Sequence, residues 1–311
     1  MLELIVMAAR LGQFLAAVVL FGSPLFFLYA LSVDDRLRPG LRWRRPMLAA
    51  AAALLGVSAV AALGAQTAVM TGSPVLVFDL ETLWAVFEGT QYGRALGARM
   101  VLTALVLVLC VSLSLSKIAL TAVSVLSALI LASFAWTGHG ATGVGAWGVI
   151  QVVNDAVHLL AAGVWLGALA VLAILLVTAH RRTEITYLPT LHRALRHFSG
   201  VGSVSVAALV ATGLINSWFL IGPSHLGDLF HTSYGWLLLI KLLAFFGMLL
   251  LAAINRFFLT PGLGGVLAYD GPTAPEVHAL RRSVLVEAGL GIAVLALVSA
   301  MGTLAPPSSE A

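Results

Sequence analysis

The chain has 311 residues, 60% of them hydrophobic and 10% charged, with a mean hydropathy of +1.04. A soluble domain carries about 25% charged residues, so this composition excludes a soluble globular protein. The net charge of +4 is a topology signal rather than a nucleic-acid footprint, and one cysteine, Cys110, excludes a disulfide framework and a thiolate metal cluster.

A hydrocarbon core about 30 Å thick needs about 20 apolar residues per helix. In chain order, eight stretches reach that length: 4–31, 46–71, 96–116, 117–137, 149–178, 197–221, 235–257 and 283–304. The first contains Glu3 and Arg10 and lacks a small-x-small cleavage site, so it reads as a retained helix rather than a signal peptide. Between the second and third, Leu80, Leu83, Trp84 and Phe87 recur at helical spacing and predict an amphipathic helix over 75–88 on the outer membrane surface. Arg36, Arg38, Arg42, Arg44, Arg45, Lys117, Arg181, Arg182, Arg193, Arg196, Arg256, Arg281 and Arg282 all fall on one side of such a bundle. Positive residues mark the cytoplasmic side, so eight spans place both termini outside. The expected fold class is an all-α integral membrane protein with eight transmembrane helices, N-out and C-out.

The halves 1–137 and 138–311 resemble each other. Thr90-Gln-Tyr92-Gly93, followed by Leu96 and Arg99, returns as Thr232-Ser-Tyr234-Gly235, followed by Leu238 and Lys241. Gln13–Gly22 aligns with His158–Gly167, and Gly64-Ala-Gln66 more loosely with Gly213-Leu-Ile-Asn216. Four spans per half insert the same way up, giving a parallel repeat about an axis along the membrane normal. Gly163 and Gly167 form a close helix-packing face.

This alignment sets Arg10 opposite Asp155, Gln13 opposite His158 and Arg99 opposite Lys241. At about 1.5 Å per residue, Arg10, Asp155, His158 and Lys241 share a depth on the order of 10 Å below the outer surface. Gln13 is deeper, and Gln66, Arg99 and Asn216 are shallower. Charges at such depth should face inward and neutralise one another, which predicts an ion pair between Asp155 and Lys241 or Arg10. Asn154 and Asp155 share a helix face with His158. Near the cytoplasmic end, Glu287 is expected to pair with Arg256 or Arg282.

Thioether and imidazole together suit copper, either Cu(I) or Cu(II). The candidate ligands are His158, His139, His225, His231, Met7, Met70, Met100 and Met301, all on or near the outer side. Singly, such methionines most often fill packing gaps and loop histidines are most often solvated; His158, intramembrane and beside an acid, is the strongest of the set. The chain has no HExxH, GxSxG, P-loop or dinucleotide fingerprint, so it does not read as an enzyme.

The stretch His158-Leu-Leu-Ala-Ala-Gly-Val-Trp165-Leu-Gly167, with Phe198-Ser199, Gly213-Leu-Ile-Asn216, Tyr234-Gly235 with Lys241, Asn255-Arg256-Phe257 and Leu280-Arg-Arg-Ser283 with Glu287, resembles the copper resistance protein D (CopD) family. The resemblance spans about 150–304; the first half fits in length and span number. It implies a bacterial inner-membrane protein that imports copper received from a CopC-like periplasmic partner, with His158 in the family's motif. It leaves a homo-oligomer open. Two other readings are a haem-b electron-transfer protein, since paired histidines on membrane helices ligate haem, and a docking or sensor subunit that moves nothing.

Overall fold

Inside hydrocarbon each backbone N–H and C=O must find its partner within the chain, so apolar stretches of this length fold as helices. The computed structural model describes residues 2–37, 41–112, 116–137, 145–182, 188–222, 227, 229–269 and 274–305. Eight helices are long and apolar enough to cross a membrane. They are α1 (Leu2–Ala30), α2 (Arg44–Thr71), α3 (Gln91–Ser112), α4 (Lys117–Ser133), α5 (Gly145–Arg182), α6 (Leu188–Leu220), α7 (Ser233–Ile254) and α8 (Ala274–Met301). A π turn, Asn255–Leu259, continues α7 into a helix over Thr260–Tyr269. Several helices outrun the apolar stretches that announce them: α5 extends to Arg182, α6 begins at Leu188 and α8 at Ala274. Hydropathy marks where the hydrocarbon ends, while the backbone ladder continues into the polar layer.

The surface helix is shorter than 75–88. A 3₁₀ turn covers Pro74–Phe78, and the α-helix runs Leu80–Gly89. Asp79 makes the break, because its carboxylate accepts from Thr82 N at 3.0 Å and caps a new helix start. Those hydrogen bonds hold the Asp79 carboxyl below its ordinary range. Phe78 is 86% exposed, with Leu80 and Trp84 beside it, an apolar face suited to the headgroup boundary.

Helices α1 and α5 form the centre. α1 packs on α2, α4, α5, α6 and α8; α5 packs on α1, α4, α6 and α8. They cross through glycine. A Cβ on Gly167 would lie 2.5 Å from Gly22 Cα, and one on Gly22 would run into Gly163 and Gly167. Ser23 Oγ then donates to Gly167 O at 3.1 Å. Gly22 and Gly167 are the positions that aligning the two halves sets opposite each other, and at this crossing they meet. The packing follows the same alignment. α1–α2 is answered by α5–α6, α1–α4 by α5–α8, α3–α4 by α7–α8 and α1–α8 by α5–α4. Two pairs break it: α2 packs on α3, whereas α6 and α7 make no comparable seam among the described residues, and α1 packs on α6, whereas α5 and α2 make no comparable contact.

The Thr-x-Tyr-Gly motif has a structural cause in both halves. Thr90 Oγ1 accepts from Gly93 N at 2.8 Å and Thr232 Oγ1 from Gly235 N at 3.1 Å, capping α3 and α7. A Cβ on Gly93 would sit 2.6 Å from Phe87 Cα, and on Gly235 2.5 Å from Leu229 Cα. Only glycine lets the incoming segment lie so close.

At the opposite end, Asp35 ties the exit of α1 to α6. Its carboxylate accepts from Ser32 Oγ (2.7 Å), Thr190 Oγ1 (2.8 Å) and Arg193 Nη2 (2.9 Å). Burial alone would raise its pKa, but these hydrogen bonds and the Arg193 charge outweigh it and bring it down to about 2.

Candidate functional site

The missing α6–α7 seam opens a cavity of about 290 Å³ lined by His158, Asn216, Tyr234, Lys241 and Met248. Asn154 and His158 leave α5 toward α6, one turn apart. Asn154 Nδ2 donates to Thr212 O at 3.0 Å and to Asn216 Oδ1 at 2.6 Å. His158 Nδ1 lies 2.7 Å from Thr212 Oγ1. The Thr212 hydroxyl proton is already directed at Ala208 O, 2.6 Å away one turn back. Its oxygen therefore accepts from Nδ1–H, which leaves Nε2 of a neutral imidazole with its lone pair free. That tautomer is the one a metal ion bound at Nε2 requires.

The polar residues singled out in the sequence do not form one layer. Asn154, Asp155, His158, Asn216 and Lys241 gather beside α6 and α7. Arg10, Gln13, Gln66 and Arg99 line a separate cavity of about 340 Å³ in the other half, with Tyr92 and Thr137. Each half keeps its own polar set on its own side of the α1–α5 crossing. The expected ion pair is not made: among the described residues Asp155 has no cation within 4.0 Å. Its carboxylate instead lies beside the Asn216 amide, with Lys241 within electrostatic reach. Arg10 is turned away, donating to Gly302 O at 2.6 Å.

Of the proposed copper ligands, His158 lines the cavity. Met301 is buried behind its wall with Ile221, Tyr234 and Leu238. Met7 and Met100 are half-buried, Met70 is 53% exposed and His231 is exposed; none lines either cavity. His139 and His225 lie outside the described residues. Among the described residues, no three His, Cys, Asp or Glu side chains converge on a common point. The sequence reading missed Met248, a buried thioether that shares the cavity with His158. Its signal was its place two turns after Lys241 on one face of α7.

Below lies a second cavity of about 260 Å³, lined by Glu287, Asn255, Arg256, Ser199 and Ser203. Trp165 lines both and is the wall between them. Its Nε1 donates to Glu287 Oε1 at 2.9 Å, and Asn255 Nδ2 donates to Glu287 Oε2 at 2.8 Å. Glu287 thus pairs with neither Arg256 nor Arg282. Neutral donors one side chain away satisfy its 1%-exposed carboxylate, while Arg256 reaches Ser199 O and the Ser203 hydroxyl.

Residues 1–149 match the family model described as Copper resistance protein D-like, N-terminal domain, and residues 192–301 that described as Copper resistance protein D. The chain is 31% identical over 300 residues to Copper resistance protein D of Pseudomonas syringae pv. tomato, covering 96% of each. It is 30% identical over 162 residues to Copper transport protein CutJ of Bacillus subtilis, covering 52% of this chain and 27% of that one. To Inner membrane protein YebZ of Escherichia coli it is 28% identical over 160 residues, 50% of each. No solved structure matches it.

Proposed function

The chain belongs to the copper resistance protein D family, and from that premise we propose that it moves copper across the bacterial inner membrane. The observation that carries this reading is the His158 imidazole, held by Thr212 with Nε2 free, in a cavity that also holds the Met248 thioether. Imidazole and thioether are the neutral donors that copper accepts in either oxidation state. Copper is the cargo here.

The route runs inward. With the basic loops cytoplasmic and both termini outside, the His158 cavity is the outer one and the Glu287 cavity the inner one. A CopC-like periplasmic copper-binding protein delivers the ion. His158 takes it at Nε2, Met248 receives it one helix face deeper, and the Trp165 ring must swing from Glu287 before it passes below. Such hand-over needs weak, successive sites rather than one closed cage. The halves 1–137 and 138–311 are the two parts of a parallel repeat in which the second carries the cargo path. A bis-imidazole haem would need a second histidine across the cavity, where among the described lining residues His158 is the one histidine.

The test is uptake into proteoliposomes with copper supplied outside. Wild type should accumulate copper and the His158→Ala variant, folded to the same melting temperature, should not. Copper binding without flux in wild type would favour a docking or sensor subunit instead.

A further inference from the structure

The cavity of the first half is built from opposite chemistry, and nothing in the copper route uses it. Arg10 and Arg99 both line it, each about eight residues into a helix that enters from the same side, or roughly 12 Å deep by helical rise. Arg99 is 2% exposed. Its Nε donates to Ser133 Oγ at 2.7 Å and its Nη2 to Thr137 Oγ1 at 2.7 Å, while its guanidinium stacks over Phe134 at 4.2 Å. Among the described residues no partner holds Nη1. Arg10 spends one donor on Gly302 O and rests flat against that glycine, where any side chain would displace it.

Among the described residues no acid answers this pair. The ionisable groups within electrostatic reach of Arg99 are Arg10 and Tyr92, and that of Arg10 is Tyr92. No Asp or Glu is among the described lining residues. In the other half, the residue aligned with Arg10 is Asp155, an acid with Lys241 within electrostatic reach although the two make no ion pair. Here the acid is replaced by a second cation, so two buried like charges face one space of about 340 Å³. Around them stand further donors, the Gln66 amide and the Tyr92 hydroxyl, with the one N–H that Gln13 keeps after donating to Ser58 O; the Thr137 hydroxyl is spent on Phe134 O. The Nη1 that Arg99 keeps and the remaining N–H groups of Arg10, two positive charges with neutral donors between them, match the oxygens of an oxyanion.

We propose that the first-half cavity, between Arg10 and Arg99, binds a small oxyanion, either a free phosphate-type ion or the phosphate of an anionic lipid headgroup. The anion supplies the charge that the fold omits.

The experiment uses the full chain in neutral detergent, with inorganic phosphate exchanged for chloride at constant ionic strength and thermal melting as the readout. Wild type should gain several degrees along a saturating curve. Arg10→Gln, and Arg99→Lys, which keeps the charge and loses the fork, should need at least tenfold more phosphate or show no gain. A parallel series in nanodiscs compares phosphatidylglycerol with phosphatidylcholine. Stabilisation by phosphatidylglycerol that depends on Arg10, with none from free phosphate, would support the site and assign its source to the headgroup. Equal responses in wild type and both variants, or no saturable response to either source, would overturn it.

Discussion

Thr212 matters through the histidine it holds. Its hydroxyl fixes the His158 tautomer and aims Nε2 at the cavity, as outer partners of metal-binding histidines do. Thr212→Val keeps the side-chain shape and removes the acceptor, so the ring is free to turn. Copper affinity, read by competition titration on purified protein, should fall about 10- to 100-fold, with the melting temperature little changed. At the other end, Asp35 is satisfied by Ser32, Thr190 and Arg193. Its folded pKa of about 2 lies below the ordinary 3.8, so it stabilises the fold fully above about pH 4. That contribution is lost as pH falls from about 4 toward 2. Asp35→Asn should cost about 1–3 kcal/mol at neutral pH, and acid melting curves should show a flatter decline between pH 4 and 2 than in wild type.

Among the elements, the α1–α5 crossing is the least tolerant. Gly167→Leu would drive a side chain into Gly22, where even a Cβ has 2.5 Å to the opposing Cα. Overpacking a filled core costs about 1–3 kcal/mol, and here backbone is struck, so the loss should reach at least the upper end. A thermal melt in detergent beside Gly56→Leu, where a Cβ meets nothing within 4 Å, separates the crossing from a general effect of leucine. The wall between the cavities is equally specific. Trp165→Phe keeps the ring and removes the Nε1 donor, leaving the Glu287 carboxylate with Asn255. Stability should fall by about 1–3 kcal/mol, and Trp165→Phe with Glu287→Gln should lose less than the two single changes added, as a double-mutant melt would reveal.

Over the whole molecule, the eight helices and the glycine crossing were legible because hydropathy and small-residue spacing are local properties of the chain. Thr90 and Thr232 could be read as matching positions, although their capping role needed coordinates. The grouping of polar residues was not legible. Helical rise gave Arg10 and Asp155 the same depth, but depth does not say on which side of the α1–α5 crossing a side chain falls. Met248 escaped, and Glu287 was given the wrong partner, for a related reason. Their roles come from the gap between α6 and α7 and from Trp165, which lie across the fold rather than along the chain. Met7, Met70 and Met100 share an end of the bundle with the site but not its cavity.

The proposed copper route passes by way of His158. Copper uptake by proteoliposomes, recorded for wild type and for His158→Ala at matched orientation and protein density, tests it most directly. Time-dependent accumulation in wild type that falls to the empty-liposome rate in the variant is the expected result. Equal uptake by the two proteins would contradict it.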